Sequence, residues 1–281
     1  MSLNDRFDLV ILDWAGTMVD FGCQAPVKAL TEAFRQEGVI IEVGAARRDM
    51  GKAKGDHVRS MLTDPVIAEA WRARHGRTAD ERDIDALMAR LGPLMREYAA
   101  AAATLIPGAR ETFEQLRARG LKVASSTGYT REMMAPVLAR AAEQGYVPQH
   151  VVCAGETPAG RPAPLMIYKA CAELGVWPLS RVVKVDDAEV GIAEGKAAGV
   201  FTVGVASGNC IGLPFEALQA LATPERVSFL DAARRELLDA GADLVIDFIS
   251  ELVPALERVS QRVPAGDSLA SRSVGGPMGK S

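Results

Sequence analysis

Residues 9–17 read Leu-Val-Ile-Leu-Asp-Trp-Ala-Gly-Thr: an apolar run, Leu9-Val10-Ile11-Leu12, delivers the chain into Asp13 and then into Gly16 and Thr17. The run is short, carries β-branched residues and follows polar ones, which predicts a buried strand. Five later runs share its character: Leu121 to Ala124, His150 to Cys153, Val182 to Val185, Phe201 to Val205 and Asp243 to Ile246. Helical stretches fall between them at Ala109–Arg119, Thr130–Glu143, Pro164–Leu174 and Glu189–Ala198, and Gly120, Gly145, Gly175 and Gly199 stand where those helices should stop. Alternating strands and helices predict an α/β fold, a doubly wound parallel sheet covered on both faces.

One interval breaks the alternation. About a hundred residues separate the first strand from the run at Leu121, where a parallel crossover needs only about a dozen. The excess is rich in Ala, Arg, Glu, Leu and Met, with no evident strand. It predicts a helical cap domain over residues 23–101, inserted into a Rossmann-like core made of 1–22 and 102–263. The insertion leaves from the carboxyl end of the first strand, the edge at which doubly wound sheets bind ligands, so it is placed to act as a lid. Residues 264–281, rich in Pro, Gly and Ser and without apolar periodicity, are expected to be a disordered tail.

Composition narrows the function. The 281 residues are 48% hydrophobic and 24% charged, which suits a soluble enzyme with one large core. A net charge of −4 and a pI near 5.6 give no reason to expect nucleic acid or an anionic membrane as partner. No apolar run approaches the roughly 20 residues of a membrane helix, and the N-terminus lacks the apolar segment of a signal peptide. Cys23, Cys153, Cys171 and Cys210 have no CxxC spacing and read as reduced thiols, so the expected location is cytoplasmic.

Three groups of residues carry chemistry, each after a strand. Asp13-Trp14-Ala15-Gly16-Thr17 offers a carboxylate, a Gly turn and a hydroxyl. Ser125-Ser126-Thr127-Gly128-Tyr129-Thr130 offers hydroxyls and amides ahead of a helix, a phosphate cradle or an ordinary N-cap with Thr130 capping the helix at Arg131. Lys184-Val185-Asp186-Asp187 offers paired carboxylates suited to a hard cation such as Mg2+. Any one of these could be incidental. All three at corresponding strand ends of one sheet point to a single site.

These groups resemble the haloacid dehalogenase superfamily, whose first motif is Asp-x-Asp-Gly-Thr. Ala15 replaces the second Asp, the residue that protonates an alkoxide leaving group in the superfamily's phosphatases. Longer strings resemble one family within it, the phosphonoacetaldehyde hydrolases: Asp20-x-Gly22-Cys23-x-Ala25-Pro26, Met50-Gly51-Lys52-Ala53-Lys54-Gly55-Asp56-His57, Ser126 to Met134, Gly160-Arg161-Pro162, and Glu194-Gly195. The resemblance spans about residues 6 to 260. It implies Asp13 as nucleophile and Lys54 as a Schiff-base former, with Met50 and His57 in support. Thr127 and Gly128 would hold the phosphonyl oxygens, Arg161 would add positive charge, and Tyr129 and Cys23 would complete the substrate pocket. Asp13, the Ala15 carbonyl and Asp187 would hold Mg2+. Some family members carry another Asp where this chain has Gly191, and Asp186 is the residue placed to compensate. The resemblance also implies a homodimer. On a continuous helix Lys54 would share a face with Met50 and His57, whereas Lys52 would not. The alternatives are a phosphate-monoester hydrolase of the same superfamily, against which Ala15 weighs, and a catalytically silent scaffold.

Overall fold

The structure is a computed structural model, and it describes residues 2–262. The expectation of a disordered tail over 264–281 lies outside the described residues.

Six strands form one sheet: β1 (Leu9–Leu12), β2 (Lys122–Thr130), β3 (His150–Ala154), β4 (Val182–Asp186), β5 (Phe201–Val205) and β6 (Leu244–Ile246). Their order is β3-β2-β1-β4-β5-β6 and every pairing is parallel. The doubly wound α/β sheet read from the sequence is thus the observed fold. β1 is fully buried because it is central and covered on both sides. Leu9 and Ile11 pack with Met166, Ile167 and Ala170 on one face, while Val10 and Leu12 pack with Val183, Val185 and Phe113 on the other. The chain leaves β1 to build β2 and β3 on one side, then returns to build β4 on the other. This reversal opens a crevice at the carboxyl ends of β1 and β4, the place where such sheets bind ligands.

Between β1 and β2 the chain forms helices at Gln24–Gln36, Val43–Arg47, Lys54–Thr63, Pro65–His75 and Glu81–Ala102, with no strand. Leu30, Phe34, Trp71, Leu87, Leu91 and Met95 are buried there, in continuity with the Val10 and Leu12 face of the sheet. Local signals set these helix ends. Asp64 caps the Pro65–His75 helix by accepting from Val66 N and Ile67 N, with Pro at its start and Gly76 closing it in the left-handed region.

Two elements differ from expectation. β2 runs to Thr130, so the stretch read as a loop cradle is strand, paired to β3 with a register shift between Thr127 and Thr130. Thr130 still caps the next helix, accepting from Met133 N at 3.3 Å. The helix carrying Lys54 begins at Lys54 itself, because the chain turns through Gly51 at φ +95° just before it. Met50 therefore precedes that helix rather than sharing a face of it.

Candidate active site

Asp13 is placed by continuation of the β1–β4 ladder: its N–H donates to Val185 O at 3.0 Å. The next residue, Trp14, is buried and packs edge-on against Tyr146 at 4.9 Å. Its carbonyl accepts from the N–H groups of Thr17, Met18 and Val19, closing a tight turn that leaves the Asp13 carboxylate at the crevice. Asp187 follows β4. Its two carboxylate oxygens accept from Thr17 Oγ1 at 3.0 Å and from Asn209 N at 2.7 Å.

These residues line a small cavity between the sheet edge and the inserted helices. Asp13, Ala15, Cys23, Met50, Lys54, Thr127, Gly128, Tyr129 and Asp187 all face it. Lys54 is only 2% exposed; its Nζ lies 3.9 Å from Met50 Sδ and 5.3 Å from the Tyr129 ring centroid. Lys52 points elsewhere and pairs with Asp49 at 2.5 Å. Met50 thus reaches Lys54 from a turn instead of from the previous helical turn. His57 is fully buried but lies off the cavity, and Arg161 sits behind Asp13.

Electrostatics separates the roles. Burial lowers the Lys54 pKa to about 8. Burial, reinforced by the Lys54 charge, lowers His57 to about 3, so it is a neutral imidazole. Burial and then the Asp186 charge raise Asp13 to about 6, with Arg161 opposing. Asp187 is pushed up by burial and by Asp13 and Asp186. Burial acts the same way on Asp186, but Lys184 and Arg161 outweigh it and hold that carboxyl down.

Behind the cavity lies an ionic network that sequence reading did not assemble. Arg161 Nη1 is 2.8 Å from Asp13 Oδ1 and 3.4 Å from Asp186 Oδ2, and its Nε donates to Glu194 Oε2 at 2.9 Å. Its Nη2 donates to Ser126 O at 2.8 Å and Ser126 Oγ at 2.9 Å. Lys184 Nζ reaches Asp186 at 2.8 Å, Glu194 at 3.8 Å and Ser126 Oγ at 3.1 Å. The available signal was Lys184, a charge set among the valines of a central strand: such a residue must be paired where it is buried. Ser125, by contrast, bonds to Tyr146 at 2.7 Å and serves the core.

Asp13, Asp186 and Asp187 bring carboxylate oxygens within 4.8 Å of one another. With Glu194 this network holds four buried carboxylates, set against the side chains of Arg161 and Lys184. Fully ionised and with Lys54 neutral, four less two leaves two negative charges, which fits one divalent oxygen-loving cation. Gly191 bears on the same site. A Cβ there would fall on the Asp186 carboxylate, so Asp186 already fills the space a side chain at 191 would need.

A family model for haloacid dehalogenase-like hydrolases matches residues 7–199. A phosphonoacetaldehyde hydrolase of Paraburkholderia phytofirmans is 43% identical over 259 residues, covering 92% of this chain and 97% of its own. This chain belongs to the phosphonoacetaldehyde hydrolase family. Another phosphonoacetaldehyde hydrolase, from Paraburkholderia xenovorans, is 42% identical over the same share of this chain and 97% of its own. The crystal structure of a phosphonoacetaldehyde hydrolase-like protein from Oleispira antarctica superposes with a TM-score of 0.90 at 42% identity, covering 93% of this chain and 95% of that one. Among the described residues no helix is long and apolar enough to cross a membrane.

Proposed function

We propose that this chain hydrolyses the carbon–phosphorus bond of phosphonoacetaldehyde to acetaldehyde and phosphate. The observation that carries this reading is a buried amine, Lys54, sharing one cavity with a buried carboxylate, Asp13. Attack at phosphorus alone would expel a carbanion, a poor leaving group. The neutral Lys54 amine adds to the aldehyde carbon and water departs, leaving an iminium. Asp13 then attacks phosphorus, and the electrons of the breaking P–C bond flow to the iminium nitrogen. The products of that step are an enamine on Lys54 and a phosphoryl group on Asp13. Protonation of the enamine carbon and hydrolysis of the resulting imine release acetaldehyde and restore the amine. A second water releases phosphate from Asp13.

Arg161 orients Asp13 from behind, 2.8 Å away. Thr127 and Gly128 line the cavity, and in this reading they hold the phosphonyl oxygens. Ala15 presents no acid, consistent with a leaving group that is not an alkoxide, and its small side chain leaves room for the lysine adduct. When held by Asp13, Asp187 and the Ala15 carbonyl, Mg2+ supplies the charge that offsets repulsion between the carboxylate and a phosphonate dianion.

Trapping tests the reading. Borohydride added with phosphonoacetaldehyde should inactivate irreversibly and leave a reduced two-carbon adduct on Lys54. Borohydride alone should do little, and Lys54→Arg should neither turn over nor trap. An adduct on Lys52, or turnover by Lys54→Arg, would overturn the assignment.

A further inference from the structure

Arg47 ends the short Val43–Arg47 helix of the insertion, and its guanidinium reaches from there to the start of the insertion and into the core. Nη1 donates to Gly22 O at 3.0 Å, to Cys23 O at 3.4 Å and to Asn209 Oδ1 at 3.3 Å; Nη2 donates to Gly212 O at 3.0 Å. One side chain therefore ties three places: the insertion, the segment that leads into it, and the 207–212 loop after β5. The fit is close. A Cβ on Gly212 would lie 2.7 Å from Arg47 Cζ. Gln24 adds a parallel tie, its Nε2 donating to Gly22 O at 2.9 Å and Gly212 O at 2.8 Å.

The loop that Arg47 grips also holds Asp187. The Asn209 side chain accepts from Arg47, and the Asn209 backbone N–H donates to Asp187 Oδ2 at 2.7 Å. The leading segment is itself held in an unfavourable shape: Asp20 and Cys23 adopt left-handed φ of 55° and 53°. Non-glycine residues stay there only where surrounding contacts over-determine them. The seated insertion supplies such contacts, Arg47 among them.

We propose that Arg47 is a positioning residue that makes the geometry of Asp187 conditional on seating of the insertion. With the insertion seated, Arg47 fixes Asn209, and Asn209 aims one oxygen of Asp187. When the insertion lifts, the guanidinium leaves with it, the 207–212 loop relaxes and Asp187 loses its orientation. The site is then assembled for chemistry only while closed over substrate, and loosens for product release. The proposal rests on the reading above in which Asp187 holds the divalent cation.

The test compares wild type, Arg47→Met, Arg47→Lys, Asn209→Ala and Arg47→Met/Asn209→Ala as full chains. Mg2+ affinity is read by calorimetry, amide exchange over 207–212 by mass spectrometry, and kcat and KM on phosphonoacetaldehyde. Arg47→Met should weaken Mg2+ binding by roughly tenfold or more, as loss of a residue supporting a metal ligand does. It should also speed exchange at 207–212 and lower kcat more than it raises KM. Lys, a single point donor, should restore only part of this. The double variant should lose little beyond Arg47→Met, since both act through one contact. Unchanged Mg2+ affinity and exchange in Arg47→Met, or additive losses in the double variant, would overturn the proposal. Should Arg47→Met fail to fold, Arg47→Lys and Asn209→Ala carry the same comparison: normal Mg2+ affinity and exchange in both is the overturning result. If wild type does not cleave phosphonoacetaldehyde, the functional reading fails, while the Mg2+ and exchange measurements still decide the role of Arg47.

Discussion

At the scale of single residues, burial sets the chemistry of Lys54. Its amine is charged below a pKa of about 8 and neutral above it, because the folded cavity destabilises the cation. Only the neutral amine adds to an aldehyde, so kcat/KM should rise with pH about tenfold per unit below pH 8 and level off above it. A pH–rate profile flat from 6 to 8.5 would remove the free Lys54 amine from the rate equation. A second residue-scale prediction concerns Gly191. Introducing Asp there puts a second carboxylate where the Asp186 carboxylate already sits. Overlap and like charge should cost about 2–4 kcal/mol, seen as a lower midpoint in urea. The exchange Asp186→Gly/Gly191→Asp, which moves one carboxylate between the two positions, should recover most of that loss; a double variant no more stable than Gly191→Asp would separate the two residues. The absent Asp at 191 was visible in the sequence. That Asp186 fills its volume was not, because one residue ends a strand and the other lies inside the following helix, and only packing brings them together.

At the scale of elements, the strands were legible because a central parallel strand must be apolar on both faces, a pattern that needs no partner to be read. Phe201–Val205 and the helix Glu189–Ala198 fall as the sequence reading had them. β2 was read short because its second half is built from hydroxyl residues with low apolar content; pairing with β3 and the demands of Tyr146, Arg161 and Lys184 make it strand. Gly128, within that strand, is where the insertion meets the sheet. A Cβ there would lie 2.5 Å from Lys52 O and 2.6 Å from Gly51 O. Gly128→Ala should therefore push back the turn that immediately precedes Lys54. Displacements near 1 Å at reacting groups cost on the order of a hundredfold in rate, so kcat should fall by at least tenfold while the circular dichroism spectrum is kept. Wild-type kcat in Gly128→Ala would show that the turn adapts freely.

At the scale of the whole molecule, the site is a charge balance held inside the fold. Within the ionic network the four carboxylates Asp13, Asp186, Asp187 and Glu194 outnumber the side chains of Arg161 and Lys184 by two, an imbalance that one bound divalent ion relieves. Because only the folded chain brings Asp13 and Asp187 together, Mg2+ should raise the melting midpoint, by an amount set by concentration over Kd and equivalent to about 2.7 kcal/mol at a hundredfold excess. Chelator should reverse the rise and Asp187→Ala should abolish it; an equal rise in Asp187→Ala would place the ion elsewhere. What the sequence by itself determined was the doubly wound sheet, the helical insertion between its first two strands, and that Asp13 and Asp187 directly follow strands while Thr127 falls on another strand of the same sheet. Those features are local, written in hydrophobic period, turn residues and short motifs. Tertiary structure alone decided how Met50 meets Lys54 across a turn, how Lys184, Glu194, Arg161 and Asp186 share their charges, and how Arg47 joins the insertion to the loop beside Asp187. Each of these joins residues far apart in the chain or across a break in secondary structure, and burial of an ion is affordable only where the fold supplies its partner.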